Sequence, residues 1–396
     1  MIKFGRYFGF MRQTNWFITI AIGLLMVIGV FFIYSACYSS DEPAIRFLYM
    51  KQITWIAVGL LCYSFFAVYD YRKIGRLSWW VYGGVLFLLV LVLIIGTKVY
   101  GARRWLDFGV RFQPSELAKI VTLIVLSRVL SRPGVRLSEL RTILLILPIV
   151  VVPFILVLAE PDLGTAMILV PVTFIMMFVA GMPLRYLFSF IGVGAAAVLL
   201  ILSAMFLPAL LHMSPDSQER IMHYSGLRAH QRDRIMTFFF PDKDPLGAGW
   251  NKTQSEIAVG SGGKWGKGFR QGTQNILGFL PKSVAHTDFI YSVIAEEKGF
   301  FGSFSILFLF GTIITAGMQA AVMARDRLGR LLAVAMTSML FCHVFINIAM
   351  TVGLMPITGV PLPLLSYGGT FMVVTMSALG IVQSVYIRGR HASSSL

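Results

Sequence analysis

The chain has 396 residues, of which 57% are hydrophobic and only 13% charged, with a formal net charge of +16 and a mean hydropathy of +0.77. A water-soluble domain carries about 25% charged residues, so a soluble globular protein is excluded. The basic residues are scattered among apolar runs instead of clustered on a polar domain, which excludes a nucleic-acid binder and makes the positive charge a mark of membrane topology.

Apolar runs long enough to cross roughly 30 Å of hydrocarbon are expected at about 16–38, 52–69, 78–97, 115–131, 142–159, 166–182, 187–210, 300–322, 331–353 and 367–387. In lipid the backbone must satisfy itself, as helices or a closed barrel. Continuous runs such as TILLILPIVVVPFILVLA favour helices. The fold class is all-α polytopic membrane protein, with about ten transmembrane helices. Residues 1–396 form one transmembrane domain with one long extracytoplasmic loop, about 211–288, between helices 7 and 8.

The first run follows Lys3, Arg6 and Arg12 and has no small-residue cleavage site, so it is a retained span, not a signal peptide. Cys37, Cys62 and Cys342 lie in or beside apolar runs without metal-ligand spacing and read as small hydrophobes. Arg72, Lys73 and Arg76, then Arg132, Arg136 and Arg141, then Arg185, then Arg325, Arg327 and Arg330, then Arg388 and Arg390 fall in loops of one side. Both termini are therefore expected in the cytoplasm.

Polar residues at the other side carry the candidate chemistry. Lys51 opens the second span, where snorkelling is the default. Pro114 and Ser115 look like a helix start, with Glu116 and Lys119 on one face just inside the fourth span. They are a packing pair or a polar wall, with Arg104 and Arg111 at its mouth offering guanidinium forks to phosphate oxygens. Asp162, after Glu160, is a cap or a pocket acid. The 211–288 loop holds ten Lys/Arg against seven Asp/Glu and is too long to be a plain connection. Within it, Gly260 to Gly268 could cradle an anion with Lys264 and Lys267, or be a surface loop; it has no P-loop register. Asp288 stands where the loop turns into the eighth span. It is a general base for a hydroxyl or an N-cap, and His286 is a rival base. The Pro/Gly-rich stretch 360–369 must be covered by protein at membrane depth.

Taken together, GARRWLDFG…FQPSELAK, EPDLGTA, DPLGAGW…QSEIAVGSGG…GKG, HTDFIYSVIAEEKGFFG and PLPLLSYGG resemble, in order, the SEDS family of bacteria (shape, elongation, division and sporulation proteins). GTQNILGFLP and GLMPITGVPLPLLSYGG are most similar to its elongation branch. The resemblance implies ten transmembrane helices and a peptidoglycan glycosyltransferase that polymerises lipid II outside the membrane during elongation. It implies a class B penicillin-binding protein as crosslinking partner, with the elongation machinery and membrane lipids around it. Asp288 matches the family's essential acid. Lys51, Arg104, Arg111, Glu116, Lys119, Gln254, Ser255, Lys264 and Lys267 are the implied substrate-binding residues. Glu160 departs from the usual glutamine, and Tyr291 from a common phenylalanine.

On this reading Asp288 accepts the proton of an acceptor sugar hydroxyl while cations hold the departing diphosphate. A divalent cation, magnesium or manganese, could share that work, although no dedicated metal cage is visible. The alternatives are a lipid II flippase and a non-catalytic scaffold for the penicillin-binding protein.

Overall fold

The computed structural model describes residues 13–40, 42–99, 102–107, 109, 111–160, 162–210, 229–240 and 247–393. Lys3, Arg6, Arg12, Gly101, Pro161 and residues 211–228 and 241–246 of the long loop lie outside the described residues.

Each expected apolar run is helical. The elements in order are α1 (Trp16–Cys37), α2 (Pro43–Arg46), α3 (Leu48–Val68), α4 (Tyr71–Ile95), β1 (Thr97–Val99), β2 (Ala102–Asp107), β3 (Arg111–Phe112), α5 (Pro114–Leu130), α6 (Leu140–Ile146), α7 (Pro148–Ala159), α8 (Leu163–Val179) and α9 (Leu184–Leu210). Then come α10 (Ala229–Phe239), α11 (Ala248–Ser261), α12 (Thr273–Ile276), α13 (Lys282–Ala285), α14 (Ile290–Met323), α15 (Arg327–Thr351) and α16 (Gly369–Ser393). Among the described residues, seven helices are long and apolar enough to cross a membrane alone, and α6 with α7 makes an eighth span bent by 41°. The bend falls at Pro148, which cannot donate a backbone hydrogen bond and therefore starts a new helix. α5 and α8 have 17 residues each, about 25 Å at the helical rise, and fall at the two other positions where apolar runs were expected. The protein is a multi-helix integral membrane protein.

Polar side chains start the spans. Asn15, Asp70, Asp162 and Asp326 accept from backbone N–H groups in the first turns of α1, α4, α8 and α15. α15 and α16 form the centre, with α14, α8 and α5 packed on α15 and α3 packed on α16. α9 lies at the periphery, with none of its apolar window buried. Asp326 accepts from Tyr71 Oη and Arg72 Nε, Arg388 pairs with Asp70, and Arg327 donates to the Ala180 carbonyl. The arginine-bearing loops thus gather at one end of the bundle.

Two features depart from the expectation. Residues 97–112 form a short antiparallel sheet of order β1-β2-β3, with Lys98 opposite Arg103 and Asp107 opposite Arg111. The eighth span begins at Ile290, ten residues earlier than the apolar run suggested, because Ile290 to Glu297 is buried in protein. The helix kinks at Gly299 (φ 64, ψ −158), a conformation open essentially to glycine. A Cβ there would collide with the backbone of Gly266, and one on Gly266 would strike the Glu297 carbonyl.

Gly299→Ala should therefore cost about 1–3 kcal/mol and lower the thermal midpoint in detergent. Gly311→Ala, on the same helix with open space at its Cβ, should leave it unchanged. An unchanged midpoint for Gly299→Ala would contradict the interlock.

Candidate active site

Asp288 does not cap α14. The N-cap is Phe289, with no side-chain cap bond, so the capping alternative falls. Instead the main chain of residues 286–288 is strapped to the Pro/Gly-rich segment between α15 and α16. Tyr367 N donates to His286 O at 2.9 Å, and Ser366 Oγ donates to Thr287 O at 2.5 Å. Asn347 Nδ2, buried in α15, donates to Asp288 O at 2.9 Å and to Val360 O at 2.7 Å. The strap is fixed in turn, since Gln52 Nε2 donates to Ser366 O and Gln52 Oε1 accepts from Gly368 N, each at 3.3 Å. This meets the demand that irregular backbone at membrane depth be covered by protein.

The strap aims the Asp288 carboxyl across Gly359. A Cβ on Gly359 would stand 3.4 Å from Asp288 Oδ2 and 3.9 Å from Arg234 Nη1. Acid and guanidinium therefore converge over a residue with no side chain, at φ +74. Arg234, on α10, is held there by donating from Nη1 to Thr358 O at 2.9 Å. Burial lifts the Asp288 pKa to about 6, with Arg234, the Thr287 hydroxyl and Arg104 drawing it back down. The group is thus ionised at neutral pH yet more basic than an ordinary carboxylate, the property a general base needs. Arg234 is pushed below its usual value by burial and by Arg104, against Asp288 and Asp162. His286 is no rival: its Nδ1 donates to Lys282 O, and burial lowers its basicity.

Alternation along β2 splits two neighbouring arginines. Arg103 donates to the Leu93 and Ile94 carbonyls at the end of α4, whereas Arg104 turns the other way, its Nε donating to Glu160 O at 3.2 Å. Asp162 accepts from Gln113 Nε2, Ser115 Oγ, Thr165 N and Thr165 Oγ1. Its oxygens are filled by donors, which does not suit a metal ligand. Among the described residues no three His, Cys, Asp or Glu side chains group as a metal cage.

The other sequence candidates divide. Arg111 is exposed, 3.6 Å from Asp107, and lines an apolar groove of about 690 Å³ between α3, α4, α5 and α16. Trp55, Phe112, Val121, Ile124, Val374 and Ser377 are among its walls, and Lys73 lies at its far end. Lys51 is exposed, and its neighbour Gln52 is the residue turned inward. Glu116 and Lys119 are buried, not an open wall. Lys119 Nζ donates to Glu116 Oε1 and to His343 Nε2, each at 2.9 Å, while His343 Nδ1 donates to Met339 O. Gln254 is buried on α11, and Ser255 braces helices through Ser292 Oγ and Thr351 O.

The glycine-lysine loop is corrected from anion cradle to joint. Lys267 Nζ pairs with Glu296 Oε1 at 2.6 Å, and Lys267 N and Gly268 N donate to the Glu296 and Glu297 carbonyls. Glu297 accepts from Ser35 Oγ and Arg270 N. The amides of residues 266–268, which an anion would need, are taken. Lys264 remains exposed beside Trp265.

Arg234, Asn347, Gln52 and His343 were missed. Arg234 lies in a loop dense in charge, and the others in apolar runs. A buried amide or imidazole in a span was the available signal.

The FtsW/RodA/SpoVE family, described as cell cycle proteins, matches residues 15–391. The peptidoglycan glycosyltransferase MrdB of Escherichia coli K12 is 37% identical over 376 residues, covering 94% of this chain and 95% of MrdB. The peptidoglycan glycosyltransferase RodA of Treponema pallidum is 31% identical, covering 92% and 95%. Among solved structures, a chain of a peptidoglycan synthase complex that coordinates polymerization and crosslinking superposes with a TM-score of 0.75 at 28% identity, covering 95% and 98%. The rod shape determining protein RodA of Thermus thermophilus gives 0.66 at 26% identity, covering 94% and 96%.

Arg234→Ala removes the largest charge opposing the burial of Asp288. The ionisation midpoint of Asp288, followed by carboxylate infrared bands against Asp288→Asn, should rise from about 6 by roughly one unit or more. An unmoved midpoint would mean that the two groups do not interact.

Proposed function

The chain belongs to the FtsW/RodA/SpoVE family, and from that premise we propose that it is a peptidoglycan glycosyltransferase polymerising lipid II, with Asp288 as general base. The observation that carries this reading is the convergence of the Asp288 carboxyl and the Arg234 guanidinium over Gly359. A base poised near 6 beside a fixed cation suits a reaction in which a hydroxyl loses a proton while an anion departs.

Asp288 takes the proton of the acceptor's GlcNAc 4-hydroxyl. That oxygen bonds to the anomeric carbon of the donor's MurNAc, and the bond from this carbon to the diphosphate oxygen breaks. Polyprenyl diphosphate leaves with the electron pair. One displacement without a covalent intermediate inverts the centre, from α-linked donor to β-linked product. Arg234 and Arg104 face the developing charge, and Arg111 stands at the mouth of the groove that takes the polyprenyl tail. Lys119 and Lys267 have protein partners and act as supports. A divalent cation, magnesium or manganese, would be brought by the diphosphate and would share the neutralisation of its charge.

The arginine-bearing end faces the cytoplasm and the Asp288 end faces outward, by the bias of short basic loops. Residues 1–396 act as one domain in a bacterial inner membrane, both termini inside. The likeness to a chain of a peptidoglycan synthase complex supports a class B penicillin-binding protein as partner, within the elongation machinery. The flippase alternative is disfavoured because the groove joining the two ends is apolar, so it suits a tail and offers no path to a sugar-peptide headgroup.

Asp288→Asn should lower polymerisation of fluorescent lipid II by about 10²-fold or more, with moenomycin silencing other polymerases and the partner still bound. Near-normal glycan length would leave only a scaffold. Ser377→Trp, which fills the groove, should raise KM for lipid II and leave the pH dependence unchanged. An unaffected KM would place the tail elsewhere.

A further inference from the structure

Arg234 reaches the site from α10, a helix of 11 residues, and a helix that short is held by its packing more than by its own hydrogen bonds. Its neighbours must therefore set its position along and around its axis. Phe206 of α9 meets the Phe239 ring edge-on at 5.3 Å, an apolar contact. Lys252 of α11 supplies a directed one. Its Nζ donates to Phe238 O at 3.1 Å and stands 4.8 Å from the centroid of the Phe238 ring. That carbonyl lies in the last turn of α10, where the helix supplies no donor and a cation meets the negative end of the helix dipole.

Phe238 is four residues beyond Arg234, so the two lie on one face of α10, one turn apart. That face is fixed twice, by Arg234 Nη1 on Thr358 O at 2.9 Å and by Lys252 on Phe238. The Lys252 side chain is only 14% exposed and is paired at 3.7 Å with Glu256, one turn on along α11. Glu256 in turn abuts Gly353, where a Cβ would collide with its carboxyl. Gly353 follows α15 and opens the segment that carries Thr358 and Gly359. One cation therefore ties to α11 both the helix that bears Arg234 and the segment beneath Asp288.

We propose that Lys252 is a positioning residue for the transfer reaction, clamping α10 so that the Arg234 guanidinium stands against the Asp288 carboxyl over Gly359. The inference rests on the reaction proposed above. Asp288 is faced by Arg234 and Arg104, and Arg234 by Arg104, Asp288 and Asp162. Lys252 acts on this group through α10. A reacting group misplaced by roughly 1 Å can cost about 10²-fold in rate, so a pin on a short helix is felt at the acid.

The test follows the ionisation midpoint of Asp288 in the full-length protein without substrate, by carboxylate infrared bands against Asp288→Asn. Lys252→Met keeps most of the stem and removes the donor. With Arg234 loosened, the midpoint should rise from about 6 by roughly half a unit or more. In an Arg234→Ala background the same substitution should add nothing, because the path runs through Arg234. Lys252→Arg, which can still donate to Phe238 O and stand over its ring, should restore the original value. In lipid II polymerisation with the partner bound, the acid limb of kcat/KM should move up with the midpoint in Lys252→Met and return in Lys252→Arg. An unmoved midpoint in Lys252→Met, an equal rise without Arg234, or no recovery in Lys252→Arg would overturn the proposal. A raised midpoint with an unmoved acid limb would uphold the clamp and count against Asp288 as the base, so the two readings fail separately.

Discussion

The site depends on a main-chain strap. Asn347, Ser366 and Tyr367 bind the backbone of residues 286–288, while the Asp288 side chain contributes nothing to capping its helix. A carboxylate that held its own segment in place would be ionised for structural reasons and poorly suited to accept a proton. Held through its backbone, Asp288 is left to burial, which raises its basicity, and to Arg234, which keeps it charged. The irregular segment between α15 and α16 is the price of that arrangement, and Gln52 and Ser366 settle its polar groups.

Rigidity around the strap comes from close backbone contacts. Gly266 and Gly299 let the loop after α11 press into the kink of α14, where Glu296 and Glu297 gather Lys267, Arg270 and Ser35. Lys119, Glu116 and His343 form a second buried support between α5 and α15. Removing one member of such a buried pair leaves an uncompensated charge, which costs about 3–5 kcal/mol. These groups therefore act on the site through packing. The apolar groove with Arg111 among its lining residues lies open beside these supports.

The helices at the apolar runs were legible because each needs a continuous apolar stretch, and lipid permits few other solutions. Residue 288 was singled out by its motif, and its carboxyl stands beside Arg234 over Gly359. The sheet at 97–112 was not legible, because its short strands carry no alternating apolar pattern. Arg234 was not, because its role is set by a contact with Thr358, 124 residues away. The glycine-lysine loop misled for a physical reason. The small residues and cations that cradle an external anion also fit a loop that folds over two internal carboxylates, as Glu296 and Glu297 show.

The central claim is that one carboxylate, half-buried and opposed to a guanidinium, carries the proton transfer. The most direct measurement is kcat/KM for lipid II polymerisation as a function of pH, using the purified protein with its partner. A rise governed by a single ionisation near 6, levelling through neutrality, is the expected result. A profile flat from well below that value would contradict it, because the base would then be an ordinary carboxylate or another group.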